Sequence, residues 1–375
     1  MEWWSDGADE IANTPSLHHP NLLPLCRTLP LSDRKGQPAK KGSIMIIDIH
    51  NHIVAGEQLQ TFQAGLINSA GFHRPRGTVV TEKHIQEAKW HGHKHSEVLD
   101  QVGTDFAFIS PRPYTMMHSA KPEKIVHWYC QAVNDALALQ VKMEPKKFRA
   151  IGGLPQNAGV PMTNTFEEID RCINDLGFVG IMINPDPGEG DGQTPPMGHE
   201  YWYPLYEKMV QMDIPGLVHA ASCKNPRESF HGHFITEESI AILSLVDSKV
   251  FQDFPKLKLI ISHGGGSVPY QVGRWRSQLR GPNDSENFDQ RLKQLYFDTA
   301  LYNVESLKLL FRICGPERCL FGTERPGAGS KTDPRTGKWY DDVRPNIESI
   351  PWLTAEDKAQ IFQGNAEQVF TRFKQ

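Results

Sequence analysis

Short apolar runs alternate with longer amphipathic stretches along most of the chain, a pattern that is typical of α/β proteins. The runs predicted as β-strands are residues 44–49, 106–109, 148–154, 178–183, 214–219, 257–262, 295–299 and 319–322. Helical periodicity follows most of them, at residues 123–141, 166–176, 201–212, 235–246 and 304–314. Eight strands that alternate with helices over about 330 residues predict a (β/α)8 TIM barrel.

Two segments depart from this regular alternation. A long insertion follows the first strand and contains a predicted helix over residues 81–102, in which His91, His93 and His95 are expected on a solvated face. Residues 1–43 show no periodicity and are predicted to form an N-terminal arm of unknown role, which leaves residues 44–375 for the barrel. A doubly wound open sheet is the alternative fold, but no Gly-x-Gly-x-x-Gly turn follows the first strand.

The composition is that of a globular protein rather than of a nucleic-acid-binding or membrane protein. The 375 residues are 39% hydrophobic and 22% charged, and 40 basic and 44 acidic residues give a net charge of −4. No apolar run reaches the roughly 18 residues that span a bilayer. Six scattered cysteines, in a chain without an apolar leader, predict reduced thiols and a cytoplasmic location. We therefore expect neither a nucleic acid nor a membrane as a partner.

A His-x-His pair lies at the end of the first predicted strand, which reads Asp48-Ile49-His50-Asn51-His52. Because side chains alternate along a strand, Asp48, His50 and His52 project to one face, with the two imidazoles about 7 Å apart. Two imidazoles on one face can bind one cation. Such a pair is more often an ordinary pair of core or surface histidines, but its place at the end of an apolar strand favours a metal site.

Polar residues also occur at the ends of the other predicted strands, where the active site of a barrel lies. His219 ends the fifth strand, His263 follows the sixth and Glu324 follows the eighth. Three neutral imidazoles and one carboxylate suit a zinc ion, with manganese as the alternative. The predicted ligands are His50, His52, His219 and Glu324. On its own, His219 is equally well explained as a buried core histidine.

The remaining candidates are groups for proton transfer and for substrate binding. Because an imidazole ordinarily titrates near neutrality, His263 is predicted to transfer a proton beside the ion, whose bound water would be a nucleophile. Guanidinium groups bind carboxylates in a bidentate manner, so arginines near strand ends predict an anionic substrate. The predicted substrate-binding residues are Arg112, Asn184, Tyr270, Arg274 and Arg325. Each arginine taken alone is more typical of an ordinary protein surface than of a binding site.

These motifs in this order resemble the amidohydrolase superfamily, in the branch that contains aminocarboxymuconate-semialdehyde decarboxylase. The shared features are the His-x-His pair, the histidines of strands five and six, the acid after strand eight, and the C-terminal Gly364-Asn365-Ala366 with Phe370. Most of the superfamily has aspartate after strand eight, whereas this chain has Gly322-Thr323-Glu324-Arg325-Pro326. That variation is similar to the 4-oxalomesaconate hydratases.

The resemblance implies a zinc-dependent hydratase that adds water to a C=C bond of an open-chain polycarboxylate produced by aromatic ring cleavage. In this hypothesis either Glu324 or His263 receives the proton of the attacking water, and the other group or an enol form of the substrate handles the proton at the neighbouring carbon. A homodimer or larger homo-oligomer is common among the relatives. The alternatives are a metal-dependent decarboxylase or a C–C or ester hydrolase on the same scaffold, and more distantly a non-catalytic metal-binding barrel.

Overall fold

Eight parallel β-strands form one sheet in which each strand pairs with the next along the chain. The computed structural model describes residues 44–54, 56–74, 78–278 and 287–374. The strands are β1 Ile47–His52, β2 Phe106–Ser110, β3 Phe148–Gly152, β4 Gly180–Ile183, β5 Gly216–Val218, β6 Leu259–Ile261, β7 Tyr296–Asp298 and β8 Cys319–Leu320. All eight fall in or overlap the predicted apolar runs.

Helices follow the strands and cover the outside of the sheet. In chain order they are α1 Gly56–Asn68, α2 Glu82–Glu87, α3 His95–Asp100, α4 Glu123–Met143, α5 Phe166–Asp170, α6 Tyr203–Met212, α7 Phe230–Val246, α8 Val250–Asp253, α9 Val272–Gln278, α10 Phe288–Leu292, α11 Val304–Cys314, α12 Arg344–Glu348, α13 Ala355–Ala359 and α14 Asn365–Val369. A π-helical turn, Arg171–Asp175, extends α5. Among these helices none is long and apolar enough to cross a membrane.

Backbone hydrogen bonds connect the first strand to the segment after the last and bring the sheet round into a barrel. The Ile49 N–H donates to the Phe321 carbonyl at 2.9 Å, and the Glu324 N–H donates to the His50 carbonyl at 2.7 Å. All six residues of β1 are buried, as expected for a parallel strand covered on both faces. The predicted (β/α)8 barrel is confirmed, and the carboxyl ends of its strands meet at one face.

The C-terminal motif of the resemblance lies in the protein core. The Asn365 amide donates to the Cys319 carbonyl at 2.7 Å and to the Pro316 carbonyl at 2.8 Å, which fixes α14 against β8. The Phe370 ring packs edge-on against Phe108 of β2 with 4.7 Å between the ring centroids. This motif therefore stabilises the barrel rather than supplying chemistry.

The predicted helix over residues 81–102 is wrong, because the insertion contains two short helices with a tight turn between them. Thr81 caps α2 through a hydrogen bond from the His84 N–H. His91 and Gly92 then adopt positive φ angles of 48° and 85°, which no helix accommodates. His95 is buried against the Phe148 ring, and the prediction of a solvated face is wrong for this residue.

The predicted N-terminal arm and Cys26 lie outside the described residues. The other cysteines form no disulfide. Four of them, Cys130, Cys172, Cys314 and Cys319, are buried, which is typical of cysteines that act as small apolar residues.

Candidate metal centre

Four side chains converge at the carboxyl ends of the strands. His50 and His52 belong to β1, His219 follows β5 and Glu324 follows β8. One ligand atom from each of the four lies within 4.8 Å of the others, and all four side chains are buried. The barrel thus brings together residues as distant in sequence as His50 and Glu324, which are 274 positions apart.

Hydrogen bonds fix the tautomers of the two histidines on β1. The His50 Nδ1–H donates to Asp298 Oδ2 at 2.5 Å. The His52 Nδ1–H donates to Ser110 Oγ at 2.9 Å, because that hydroxyl itself donates to the Asn51 carbonyl. Each ring is therefore left with a lone pair on Nε2, and the two Nε2 atoms are 3.3 Å apart. A cation between them would stabilise lone pairs that otherwise repel each other.

His219 has the same arrangement and gives the clearest indication of a site that could bind a metal ion. Its Nδ1–H donates to the Ala220 carbonyl at 2.7 Å. Its Nε2 is buried and has no hydrogen-bond partner among the described residues. Buried polar atoms are nearly always paired, so an unpaired lone pair aimed at three other donors fits a metal ligand. Burial also lowers the pKa of His52 and of His219, which favours the neutral form that binds metal.

Strand β1 also holds the loop that carries Glu324. Asp48 accepts hydrogen bonds from the Thr323 N–H at 3.0 Å and from its hydroxyl at 2.5 Å. Burial raises the pKa of this aspartate to about 7 even though those bonds oppose the shift. Glu324 itself has a φ of 57°, in the left-handed region, and the Tyr302 hydroxyl donates to its Oε2 at 2.5 Å.

His263 is held between two carboxylates. Its Nδ1 lies 2.9 Å from both carboxylate oxygens of Glu238, and its Nε2 lies 3.8 Å from Glu324 Oε2. Burial alone would lower the pKa of this histidine, but the two carboxylates raise it well above the usual value. Burial alone would likewise raise the pKa of Glu324, but His263 holds it well below its usual range. These shifts favour an imidazolium at His263 and a carboxylate at Glu324, which face each other at the candidate metal centre.

The sequence prediction missed two residues of this arrangement, Glu238 and Tyr302. Glu238 lies on α7 rather than at a strand end, and no local pattern distinguishes it from the neighbouring Glu237. Tyr302 comes four residues after Asp298, in the loop that follows β7. Extending the search from strand ends into the following loops would have found the tyrosine but not the glutamate.

Arg112 is the predicted substrate-binding residue whose charge acts on the candidate metal ligands. Its Nε–H donates to the Ile53 carbonyl at 3.0 Å and an Nη2–H donates to the Pro326 carbonyl at 3.3 Å. Its positive charge lowers the pKa of His52, and Glu324 partly offsets the effect of burial on the pKa of the guanidinium itself. Arg112 therefore adds positive charge next to the candidate ligands.

Asn184 does not point a free amide toward the centre, and its predicted substrate contact is not supported. Its Nδ2 donates to His118 Nδ1 at 2.9 Å and to the Asp186 carbonyl at 2.9 Å. Its Oδ1 accepts from the Asp186 N–H at 3.1 Å. The side chain is buried and fixes the loop after β4.

The same network predicts a loss of stability in acid. Burial lowers the pKa of His118 from 6.5 to about 4, so the unfolded chain binds an additional proton between those pH values. The contribution of His118 to the free energy of unfolding should therefore fall by about 3 kcal/mol as the pH falls from 6.5 to 4. In urea denaturation, the difference in stability between the natural chain and His118→Gln should shift by this amount across that range. An unchanged dependence in that variant, with the exposed His91→Gln as control, would contradict this assignment.

Arg325 is a structural residue, and the prediction that it binds substrate is not supported. It is 1% exposed, and its guanidinium is stacked 4.7 Å from the Trp339 ring centroid. Its hydrogen bonds go to the Val98 carbonyl at 3.0 Å, Gln101 Oε1 at 3.1 Å and Asp341 Oδ1 at 2.5 Å. Glu324 and Arg325 are adjacent, but in the loop after β8 the first faces His263 and the second pairs with Asp341.

Replacing Arg325 should destabilise the fold strongly. Arg325→Met leaves the Asp341 carboxylate buried without its cation, which costs about 3–5 kcal/mol in such cases. The midpoint of urea unfolding, followed by circular dichroism, measures this loss. Arg335→Met is the matched control, because Arg335 is 81% exposed and pairs with Asp333 at the surface. That pair should contribute little to stability because solvent screens it, and equal losses in the two variants would contradict the structural role of Arg325.

Tyr270 and Arg274 lie at the surface near the start of α9. Tyr270 is 52% exposed and Arg274 is exposed. No described contact joins either side chain to the metal centre, so their role in substrate binding stays a prediction.

Comparison with known proteins gives a family and several relatives. A family model described as "Amidohydrolase" matches residues 47–372. The chain is 33% identical over 335 residues to a 2-keto-4-carboxy-3-hexenedioate hydratase of Sphingobium sp. (strain NBRC 103272 / SYK-6), covering 88% of this chain and 97% of the relative. It is 25% identical to a 2-amino-3-carboxymuconate-6-semialdehyde decarboxylase of Dictyostelium discoideum, covering 76% and 77%.

Solved structures include a similar protein with the same fold. The crystal structure of 4-oxalomesaconate hydratase, LigJ, from Rhodopseudomonas palustris superposes with a TM-score of 0.77 and 30% sequence identity. The match covers 88% of this chain and 97% of that structure. The similarity therefore extends over nearly the whole of the known enzyme.

Proposed function

The chain belongs to the amidohydrolase family, and from this we propose that it is a metal-dependent hydro-lyase that adds water to a C=C bond of an open-chain polycarboxylate from aromatic ring cleavage. The observation that carries the proposal is the pairing of Glu324 with His263 beside the buried donor set. Addition of water to a double bond needs one group to take a proton and another to give one. The hydratases among the relatives support the same reaction.

The residues present fit one divalent metal ion. His50, His52 and His219 would each bind through Nε2, and Glu324 would bind through a carboxylate oxygen. Three imidazoles and a carboxylate suit zinc best, and manganese is the alternative. When bound, such an ion lowers the pKa of water and polarises substrate oxygens.

Glu324 and His263 carry out different proton transfers in this proposal. Glu238 keeps the Nδ1 of His263 protonated, so the proton that His263 can release is the one on Nε2, on the side of Glu324. Glu324 accepts the proton that the attacking water loses, and the Tyr302 hydroxyl orients its Oε2. His263 then donates a proton to the neighbouring carbon of the former double bond.

The name of the hydratase relative describes a substrate that is compatible with these two proton transfers. A 2-keto-4-carboxy-3-hexenedioate carries three carboxylates and a C=C bond conjugated to a ketone. Conjugate addition places the water oxygen on C4, two carbons from the ketone, and the new proton on C3. We propose a substrate of this class, 4-oxalomesaconate or a close analogue, for this chain.

Arg112 is proposed to bind one substrate carboxylate. Arg112→Gln should raise KM roughly 10–100-fold with a smaller effect on kcat, because a charge-assisted hydrogen bond contributes about 1.5–3 kcal/mol. Steady-state kinetics measure the change. Arg312→Gln, on the exposed face of α11, is the control and should leave KM unchanged. If both variants have the same KM as the natural chain, Arg112 does not contact substrate.

The second candidate is a metal-dependent decarboxylase, which the relative from Dictyostelium favours. Both reactions are tested by incubating metal-loaded protein with 4-oxalomesaconate and with 2-amino-3-carboxymuconate-6-semialdehyde. The proposal predicts loss of the conjugated chromophore of 4-oxalomesaconate without release of CO2. Release of CO2 from either compound, without uptake of water, would identify a decarboxylase instead.

We also propose that the barrel domain spans residues 44–375 with residues 1–43 as an arm, and that the enzyme is cytoplasmic and forms a homodimer or larger homo-oligomer. Buried free cysteines support a reducing compartment. Light scattering after size-exclusion chromatography gives the oligomeric state, and a monomeric mass would contradict this part of the proposal.

A further inference from the structure

A second group of potential ligands lies outside the candidate metal centre and shares no residue with it. It consists of Asp186, in the loop after β4, with His233 and Glu237 on α7. Their ligand atoms lie within 4.8 Å of one another. All three line a cavity of about 300 Å³ between the loop and the helix.

His233 is the residue that points to a ligand. Its side chain is 1% exposed, and its Nδ1–H donates to Glu228 Oε2 at 3.0 Å, which leaves a lone pair on Nε2. That Nε2 is buried, has no hydrogen-bond partner among the described residues, and lies 4.0 Å from Asp186 Oδ2. A carboxylate that fixes one nitrogen of an imidazole while the other nitrogen faces anionic donors is the usual environment of a metal-binding histidine.

The two carboxylates are placed by local backbone geometry. The N–H groups of Gly188 and Gly190 donate to Asp186 at 3.0 and 2.5 Å and hold its carboxylate toward the cavity. Gly190 has a φ of 90°, and a Cβ at this position would lie 3.1 Å from Cys223 Sγ, so glycine is needed for this turn. Glu237 comes one helical turn after His233, on the same face of α7.

The negatively charged side chains that line the cavity also favour binding of a cation. Asp186, Glu228 and Glu237 all line it. Burial, together with the charges of the other two carboxylates, raises the pKa of Glu237 to about 7. Two ligand atoms bound to one ion are at most about 4 Å apart, since each bond is near 2.1 Å, so small side-chain shifts would bring the three atoms to an ion.

We propose that Asp186, His233 and Glu237 bind a second divalent metal ion, for which zinc is the best match to one imidazole and two carboxylates. The ion would join the loop after β4 to α7. That helix carries Glu238, which holds His263, and Phe234, whose ring lies 5.1 Å from His219. The second ion would therefore stabilise the position of α7, which places Glu238 and Phe234 next to residues of the candidate metal centre.

Zinc stoichiometry of the full-length protein tests this inference independently of any enzymatic activity. The protein is stripped with a chelator, reloaded with Zn²⁺ and passed through a desalting column, and the metal is measured by mass spectrometry. We expect two zinc ions per chain in the natural protein and one each in His233→Gln and Glu237→Gln. His231→Gln is the matched control, because His231 is exposed two residues earlier on α7, and it should keep two ions.

Removal of the central site separates the two ions. His219→Gln should keep one zinc ion, and the double variant His219→Gln/His233→Gln should keep none. Circular dichroism checks that each variant is folded, and Glu237→Gln provides a second test should His233→Gln not fold. One zinc ion in the natural protein, or two in both His233→Gln and Glu237→Gln, would overturn the second site whatever reaction the enzyme catalyses.

Discussion

A Glu324→Gln variant is expected to lose roughly 10³–10⁴-fold in kcat for hydration while its metal content stays near that of the natural chain. Glutamine keeps an oxygen where the carboxylate would bind the ion, but it cannot accept the proton that water loses. It also removes the charge that faces His263 at 3.8 Å and the acceptor of the Tyr302 hydroxyl at 2.5 Å. Steady-state kinetics combined with metal analysis of the same sample measure both effects.

Tyr302→Phe is the matched control for that experiment. It removes the hydrogen bond to Glu324 but leaves the carboxylate, so a smaller loss, roughly 10-fold, is expected. A Glu324→Gln enzyme with full turnover and metal bound would exclude the carboxylate from the proton transfer. In that case His263 would remain as the acceptor.

A His219→Ala variant is expected to lose the metal ion of the candidate centre and with it nearly all activity, roughly 10⁴-fold or more. The imidazole supplies a buried lone pair for which the described residues offer no other partner. Its removal also leaves a cavity next to Phe234, so circular dichroism must show that the variant is folded. Metal analysis and the hydration assay are then carried out on the same preparation.

His127→Ala serves as the control for this loss, because this imidazole lies on helix α4 and bonds to Asn164 at 3.0 Å. It should retain both metal and activity. Full activity in His219→Ala after removal of free metal would show that the reaction does not depend on this donor set.

The fold was predictable because its strands are short apolar runs separated by amphipathic helices. Strand β1 differs most, since its pairing with β2 resumes after a register shift and continues at Asn51 and His52, where the sequence turns polar. The helix predicted over residues 81–102 failed because a left-handed turn at His91 and Gly92 interrupts it. When the residues on both sides of a turn have helical spacing of apolar positions, the pattern looks like one continuous helix and does not reveal the turn.

The candidate site was predictable only where a side chain able to bind metal or transfer a proton lies at the end of a strand. That rule brought together His50, His52, His219 and Glu324, which the barrel places within 4.8 Å. It also selected Arg325, which the structure pairs with Asp341 instead. A strand end fixes where a residue lies along the barrel axis, but the loop conformation decides which way its side chain points.

Family membership was likewise indicated by the order of these motifs and is confirmed by the match over residues 47–372. Glu238 shows why the supporting residues are harder to find. It reaches His263 from the helix α7, 25 positions earlier in the chain. Only the packing of that helix against the strand ends brings the carboxylate to the imidazole.

The most direct test of the proposed hydration is to incubate the metal-loaded protein with 4-oxalomesaconate in H₂¹⁸O and to determine the mass of the product. The ketone oxygen must first be exchanged back in ordinary water, so that only the newly formed C–O bond retains the label. We predict a product heavier than the substrate by one labelled water. Unchanged substrate in the presence of one metal ion at the candidate centre, or a product that has lost CO2 without gaining label, would contradict the account.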